Sequence, residues 1–360
     1  MTSALSQFDA WLSDSGPVAL VIRESLMPVE GADGVVFPAT FASGDKFEGG
    51  YNIDETADGK NVCLIDSVGS QANRIEPLFG KDEYSGLVPQ IVVTAGERKV
   101  SLLEAGHRAG DALVRCTELQ QPLHDAFIDI LKGNAESLAK LAPTSLVFGV
   151  WDSRDTQAKL PRLISSTIRA FNVRKLRRSA QFVPATDYVN DELLPEPADK
   201  KAKDAYAERG FIHVPASASH GGVIAEGGIR RDATLSLAAL RLLKAGDAER
   251  TLKLRRYILG LALTAFTDNP SGYLRQGCNL VLNPAEPREF VEVHPDGRRV
   301  PATVTHDAAK AYAEAAAKAF GVGESRTIPF GKELAIKDIS GEAADGQKSG
   351  KSKPAKAKTK

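Results

Sequence analysis

The sequence predicts an α+β fold. Strand-like and helix-like segments follow one another without the regular strand–helix alternation of a parallel α/β sheet. Apolar residues make up 42% and charged residues 26% of the 360 residues, which is typical of a globular protein that buries a core. The length suits one large domain with insertions or two smaller domains. We expect a single domain over residues 1–340.

The first half of the chain contains three strand candidates and a capped helix. The strands are expected at Val18–Arg23, Leu87–Ala95 and Ser145–Trp151, where apolar and β-branched residues cluster. The segment CLIDSVGSQANRIEPLFG is typical of a strand end that enters a helix, with Asp66 or Ser67 as the N-cap. A further helix is expected to start at Ser101, because Glu104 completes a capping box.

The segment AKLPRLISSTIRAF, from Lys159 to Phe171 with the preceding alanine, has apolar residues at helical spacing. Its cationic residues recur on the other side of the helical projection. This pattern predicts an amphipathic helix or helical loop with one apolar stripe and one cationic stripe.

The second half of the chain begins with an expected exposed insertion over 185–230. The segment SHGGVIAEGGIRRD is expected to be a glycine-rich connection, after which Asp232 caps a long helical region that is broken near Gly246. Strands are expected at Gly272–Leu282 and Phe290–Val293, followed by the helix THDAAKAYAEAAAKAFG. Residues 341–360 form a Lys-rich tail that is predicted to be disordered.

The charge distribution is uneven although the net charge is zero, with 46 basic and 46 acidic residues. The 25 residues from Arg154 to Arg178, here called the basic strip, contain eight basic residues and one acid, Asp155. Such a density of cations favours contact with a polyanion, and arginine suits phosphate oxygens in particular. The alternative is an ordinary solvated face. The basic residues of the strip are Arg154, Lys159, Arg162, Arg169, Arg174, Lys175, Arg177 and Arg178.

Two further segments have residues suited to nucleic acid. Short polar side chains and one arginine share a face of the helix after Asp66, where the helix N-terminus favours phosphate. The segment GGVIAEGGIRR allows a close backbone approach to phosphate. A polar helix face and a flexible loop are the respective alternatives. The residues concerned are Ser67, Ser70, Gln71, Asn73 and Arg74 in the first segment, and Gly227, Gly228, Arg230 and Arg231 in the second.

Signatures of catalysis, metal binding and cofactor binding are weak. The three cysteines are far apart, and HExxH, GxSxG and a phosphate-binding glycine loop are absent from the sequence. His107, His213 and His220 have no metal-ligand spacing. We therefore predict no catalytic residue, no metal and no cofactor. Without a signal peptide or an apolar run of membrane-spanning length, we expect a cytoplasmic protein.

Three segments carry a resemblance to a known family. LIDSVGSQANRIEPLF, VFGVWDSRDTQAKLPRLISSTIRAFNV and RRSAQFVP together resemble the backbone subunit of type I-G (formerly I-U) CRISPR interference complexes. This is the "Cas-seven" family of the RAMP superfamily, and the resemblance runs from about Val18 to about Ile339. It implies an RRM-like (ferredoxin-like) core with large insertions and a hand-like architecture.

The resemblance also implies a function without catalysis. Several copies of such a subunit bind one CRISPR RNA as a helical filament within a Cascade-type complex, together with the other subunits. The guide RNA pairs with the target DNA strand, while the protein holds the sugar-phosphate backbone. No membrane partner is expected. The alternatives are a RAMP-type RNA-processing endonuclease that uses a histidine, and a general single-strand RNA-binding protein.

The predicted RNA-binding residues are therefore those of the two polar segments and the basic residues of the strip other than Lys175. Trp151, three residues before the strip, is a further candidate with two interpretations. It packs in the core or it stacks on a base, and core packing is favoured.

Overall fold

The computed structural model describes residues 4–268 and 272–340, which form an α+β fold as the sequence predicts. Nearly all strand pairs are antiparallel. The Lys-rich tail expected over 341–360 lies outside the described residues. The RRM-like core and the hand-like architecture stay predictions.

The strands range from two to twelve residues. They are, in chain order, β1 (Ala19–Pro28), β2 (Val35–Val36), β3 (Thr40–Phe41), β4 (Gly50–Tyr51), β5 (Ile53–Glu55), β6 (Asn61–Asp66), β7 (Ile91–Ala95), β8 (Arg98–Ser101), β9 (Val150–Trp151), β10 (Lys159–Leu160), β11 (Ile164–Phe171), β12 (Val173–Phe182), β13 (Val214–Ala225), β14 (Ile229–Ser236), β15 (Tyr273–Arg275), β16 (Cys278–Leu282), β17 (Glu289–Val293), β18 (Arg299–Pro301) and β19 (Arg326–Pro329).

The helices are mostly short. The α-helices are α1 (Asp9–Leu12), α2 (Val68–Ile75), α3 (Ala112–Arg115), α4 (Gln120–Leu131), α5 (Glu136–Leu141), α6 (Thr144–Phe148), α7 (Lys200–Glu208), α8 (Leu237–Leu240), α9 (Ala248–Thr267), α10 (His306–Phe320) and α11 (Lys332–Ser340). Single turns of 3₁₀ helix cover Ala4–Ser6, Glu76–Gly80, Ser85–Leu87, Leu102–Glu104 and Arg108–Gly110.

The chain divides into two compact units, each assembled from three stretches. Unit 1 comprises Met1–Ile75, Leu163–Leu242 and Ala262–Tyr312; unit 2 comprises Glu76–Arg162, Leu243–Leu261 and Ala313–Lys360. The single domain expected over 1–340 and the exposed insertion expected over 185–230 stay predictions. Within the latter range, α7 has no buried residue, and β13 pairs with both β12 and β2.

Unit 1 is built on a nine-stranded sheet. Its main path runs β15-β16-β1-β14-β11-β6-β5, and β17 pairs with both β1 and β18. Along β14, residues alternate between buried and half-buried positions, so the sheet has one covered face and one more open face. Leu20 and Ile22 of β1 pair with Leu235 and Ala233 of β14 on the covered face, where all four are buried.

Unit 2 has a three-stranded sheet, in which β7 pairs with β19 in parallel and with β8 antiparallel. Its core includes Tyr257 of α9, which is fully buried and whose hydroxyl donates to the carbonyl oxygen of Leu87 at 2.8 Å. The backbones of α9 and α10 approach closely within this unit. A Cβ atom added to Gly260 would lie 2.7 Å from Cα of Ala313, so only glycine fits there.

The helix predicted over Lys159–Phe171 is wrong, because these residues form β10 and β11. β11 lies between β14 and β6, so it is covered along both edges and buried at most positions. The apolar residues of such a strand do not alternate strictly with polar ones, so over a short segment their spacing resembles that of a helix. The β-branched residues Ile164, Thr167 and Ile168 favour the strand.

The strand predicted over Ser145–Trp151 is also wrong for most of its length. Thr144–Phe148 is the helix α6, and every residue of that helix is buried. A short helix that is buried on all sides shows no amphipathic period, so its sequence looks like a buried strand. Gly149, with a φ of +79°, ends the helix and leads into the two residues of β9.

The predicted glycine-rich connection is instead the end of β13, a short turn and the start of β14, two strands that belong to different sheets. Asp232 lies within β14 and caps no helix, so that prediction is wrong. The helical region starts later, at α8, where Ser236 accepts a hydrogen bond from the amide of Ala239. The predicted break near Gly246 is confirmed, since α9 begins at Ala248.

Several predicted elements are confirmed. β6 leads into α2, and α10 covers the alanine-rich segment up to Gly321, whose φ is +75°. The strands expected over Gly272–Leu282 and Phe290–Val293 correspond to β15, β16 and β17. The capping box at Ser101 starts only one 3₁₀ turn, in which the Ser101 side chain accepts from the amide of Leu103.

Candidate nucleic-acid interface

The N-terminus of α2 is organised by a buried carboxylate, Asp66. Its oxygens accept hydrogen bonds from Ser70 Oγ at 2.8 Å, Gln71 Nε2 at 2.7 Å and Arg74 Nε at 3.2 Å. Arg275 from β15 donates to it at 2.9 Å. Asp66 therefore serves as the common acceptor for three of the predicted RNA-binding residues.

These bonds determine which atoms of α2 face outward. Gln71 is buried, and its amide oxygen also accepts from Ser166 Oγ at 2.9 Å. Ser67 Oγ accepts from the amide of Ser70 at 3.2 Å and so caps the helix. Asn73 and Arg74 are the exposed members of the predicted set. The side chains of Ser67 and Gln71 are thus bonded within the protein, Ser67 as the helix cap and Gln71 to Asp66 and Ser166. RNA contact by α2 stays a prediction.

The C-terminal part of the basic strip lies on β12. Four of its cations are exposed, and together they are called the basic ribbon: Arg174, Lys175, Arg177 and Arg178. Arg174 contacts Glu226 at 3.2 Å, while Arg177 and Arg178 stand opposite His220 and Ser219 of β13. The Arg178 guanidinium also lies 5.8 Å from the ring centre of Phe37.

The open face of the unit 1 sheet carries a second group of cations. Arg169 of β11 stands directly opposite Arg230 of β14 on this face. Directly opposed like charges destabilise a sheet unless a counter-charge is near. Arg230 contacts Asp232 at 3.0 Å, and Arg23 of β1 contacts the same aspartate at 3.3 Å.

Phe171 belongs to this open face and was missed in the sequence analysis, where it was assigned to an apolar helix stripe. Its half-buried ring lies 4.6 Å from the Arg230 guanidinium. The backbone of Phe171 is bonded to the β13–β14 turn, because its amide donates to Gly228 O and its carbonyl oxygen accepts from Gly227 N. A Cβ atom on Gly228 would meet nothing within 4 Å, so the space beside this turn is open.

Arg231 points to the opposite side of β14 from Arg230. It is buried, and its Nε lies 2.6 Å from Glu24 Oε2. Arg288 contacts the other oxygen of Glu24 at 2.9 Å. The predicted pair Arg230 and Arg231 is therefore divided between the open face and the interior.

The N-terminal part of the basic strip lies in unit 2, on the hairpin of β9 and β10. Trp151 is 56% exposed, so the favoured expectation of core packing is wrong. Lys159 pairs with Trp151 across the hairpin, and its Nζ lies 5.4 Å from the centre of the indole ring. Arg154 and Arg162 are exposed as well.

A buried ion pair lies in the same unit as this hairpin. Arg108 donates from Nε to Glu76 Oε2 at 2.6 Å and from Nη1 to the carbonyl oxygen of Gly149 at 3.3 Å. A Cβ atom on Gly149 would lie 2.9 Å from Arg162 Cγ, so the stem of Arg162 packs over this glycine. The ion pair thus supports the backbone from which the hairpin starts.

Burial raises the pKa of Glu76 to about 7, while the charge of Arg108 and hydrogen bonds from Thr144 and Arg108 oppose this shift. Between about pH 4.5 and pH 7 the folded state then binds more protons than the unfolded state, so stability is lost as pH rises. We expect the free energy of unfolding of the wild type to fall, relative to Glu76→Gln, from about pH 5 to about pH 7.5. Chemical denaturation at several pH values measures this difference, and parallel pH profiles would contradict the shift.

The histidines considered as catalytic candidates are divided between the two units. His107 is an exposed residue of unit 2, whereas His213 and His220 lie on or beside β13 in unit 1. His220 packs against Tyr51 with ring centres 4.8 Å apart, and His213 contacts Gln181 at 3.3 Å. Within 4–268 and 272–340, no group of three or more His, Cys, Asp or Glu side chains is placed to hold a metal ion.

In the part of the chain that the structure describes, no helix has both the length and the apolar character needed to cross a bilayer.

Residues 20–175 match the family model described as CRISPR-associated protein GSU0053. This range covers β1 to the start of β12, and therefore Asp66, α2, Trp151 and most of the basic strip. A search of the curated proteins finds no match to the chain.

Proposed function

We propose that the chain, whose residues 20–175 match the model of CRISPR-associated protein GSU0053, is a non-catalytic RNA-binding scaffold subunit. This match indicates a role in CRISPR–Cas defence. The subunit multimerises along CRISPR RNA in a type I-G Cascade-type complex and presents the spacer for pairing with target DNA. Its other partners are further copies of itself and the remaining subunits of the complex.

The basic ribbon is the observation that carries this proposal. Four exposed cations fall within five residues of one strand, and Arg174 is the member that meets a carboxylate, in Glu226. Neighbouring cations along one strand repel one another, and a phosphate backbone relieves that repulsion. Contacts of this kind hold a strand without reading its sequence, as a guide scaffold requires.

The open sheet face supports the same function. Arg169 and Arg230 are opposed like charges, and Phe171 adds an aromatic ring beside them. Single-stranded RNA is commonly bound by arginine and aromatic side chains on a sheet face. The face and the ribbon follow one another along the chain, since β11 and β12 are separated by Asn172.

Removing three charges of the ribbon tests the proposal. We expect Lys175→Ala with Arg177→Ala and Arg178→Ala to weaken binding of single-stranded RNA by about tenfold or more at 0.15 M salt, equally for two unrelated sequences. The slope of log affinity against log salt should fall by about 2, because each phosphate contact contributes about 0.7. Filter binding over a salt series measures both quantities.

The matched control removes three exposed lysines of α7, Lys200, Lys201 and Lys203, and should leave affinity and slope nearly unchanged. Equal effects of the two triple variants would contradict a specific role for the ribbon.

The two rival functions give different results. Specific cleavage of repeat-spacer RNA that is lost in a His107, His213 or His220 alanine variant would overturn the scaffold proposal in favour of an endonuclease. Co-purification of RNA of mixed lengths, rather than one fixed length, would favour a general single-strand binder.

A further inference from the structure

The β9–β10 hairpin of unit 2 presents an aromatic ring to solvent on an ordered support. Trp151 is 56% exposed, which is unusual for a side chain with so large an apolar surface. Two backbone-paired positions define the hairpin, Trp151 with Lys159 and Val150 with Leu160. The exposed indole therefore occupies a fixed position on the surface.

The loop that joins the two strands is held by Asp152. This buried carboxylate accepts from the amide of Thr156 at 2.8 Å and from its hydroxyl at 2.7 Å. The Asp152 amide donates to the carbonyl oxygen of Ala158 at 2.9 Å, and the Gln157 amide donates to that of Asp152. The acidic side chain thus points into the loop, away from the exposed indole.

Charge around the ring is positive. Arg154, Lys159 and Arg162 are exposed on the hairpin, and Lys159 Nζ lies 5.4 Å from the indole centre. The exposed acid of the loop, Asp155, is engaged by His124 Nδ1 at 2.6 Å. An apolar protein partner would have to bury these cations unpaired, whereas a strand of nucleic acid supplies a phosphate for them and a base for the ring.

From this geometry we infer that Trp151 stacks on an unpaired base of single-stranded nucleic acid, with Lys159 and Arg162 on the adjacent phosphates. This rests on the proposed function, because it requires that the chain binds nucleic acid. It adds a base contact in unit 2, separate from the basic ribbon in unit 1. The strand is either the guide RNA or a DNA strand, since both offer the same base and phosphate chemistry.

Intrinsic fluorescence tests the stacking directly, because the chain has two tryptophans. Trp11 is buried and stacked on Phe8 at 4.7 Å, so it provides a constant background. We expect a uridine 20-mer to quench the emission of the full-length wild type. The variant Trp151→Phe, which retains only Trp11, should show almost no quenching by the same RNA.

Affinity provides the second measurement. We expect Trp151→Leu to bind the uridine 20-mer about 5- to 150-fold more weakly than the wild type, and Trp151→Phe to lose much less. An abasic 20-mer of the same charge should bind the wild type and Trp151→Leu equally and leave the tryptophan emission of the wild type unchanged. A thymidine DNA 20-mer identifies the strand: quenching by RNA alone indicates the guide, and quenching by both indicates a site that accepts either strand.

Three results would overturn the inference while the proposed function stands: binding of the uridine 20-mer without quenching, equal affinities of wild type and Trp151→Leu, or equal quenching by the abasic strand. If the wild type binds none of the strands, the proposed function and the inference both fail. Because Trp151 is exposed, its variants should unfold at the wild-type temperature, and the quenching experiment remains decisive even if Trp151→Leu does not fold.

Discussion

Asp66→Ala should destabilise unit 1 by about 3 kcal/mol or more. The Asp66 side chain is fully buried and accepts from Ser70, Gln71, Arg74 and Arg275. Its removal leaves two guanidinium groups without their counter-charge and a buried amide without its acceptor. The midpoint of urea denaturation measures the loss, and RNA affinity should fall with it because α2 loses its anchor.

Asp58→Ala is the matched control for Asp66. Asp58 is an exposed aspartate that bonds Thr56 at 2.6 Å and contacts Lys60 at 3.2 Å. Surface pairs of this kind contribute little, so the control should shift the midpoint only slightly. Similar shifts for the two variants would mean that the Asp66 network is not a stabilising centre.

Arg231→Ala should cost about 3 kcal/mol of stability, while Arg230→Ala should change stability by less than about 1 kcal/mol. The neighbours face opposite sides of β14. Arg231 is buried against Glu24, whose charge would then rely on Arg288 alone. Arg230 is part of the open sheet face, so its replacement should weaken RNA binding instead.

Measuring the unfolding midpoint and the RNA affinity of both variants separates these two roles. An Arg231→Ala protein of wild-type stability and reduced RNA affinity would show that Arg231 reaches RNA despite its burial.

Helices and strands were predicted best from the sequence where the interactions that determine them are local. The junction between β6 and α2 was located because Asp66 and Ser67 are good N-cap residues that directly follow the apolar end of a strand. α10 was located for similar reasons, since its alanine-rich sequence ends at a glycine. In both cases, the residues that fix the element lie within one or two turns of it.

The basic strip was assigned the wrong secondary structure because its determinants are distant. Arg169 pairs with Leu64 on one side and with Arg230 on the other, and both partners lie far away in sequence. A hydrophobic pattern records that a residue is buried, but not which strand covers it. The opposite error occurred at α6, a fully buried helix that was predicted as a strand.

The residue types of the candidate site were predictable from the sequence, but the directions in which their side chains point were not. The density of cations was visible in the sequence, whereas the opposite orientations of Arg230 and Arg231 follow from the register of β14 with β1 and β11. The inward bonding of Gln71 depends on Asp66, which was considered only as a cap. Trp151 is exposed whereas Val150 beside it is buried, because successive side chains of a strand point to opposite faces, although the apolar neighbours of Trp151 suggested a core position.

The pairing of β1 has a consequence for the order of events during synthesis. β1 emerges among the first 30 residues, but one of its partners, β17, begins only at Glu289. At about 5 to 20 residues per second, the ribosome needs roughly 15 to 50 s to deliver that strand. During this interval one edge of β1 is open on the nascent chain, a state in which edge strands associate with other chains. Slow translation or a chaperone at this stage should therefore affect the yield of native protein more than the same intervention after residue 312.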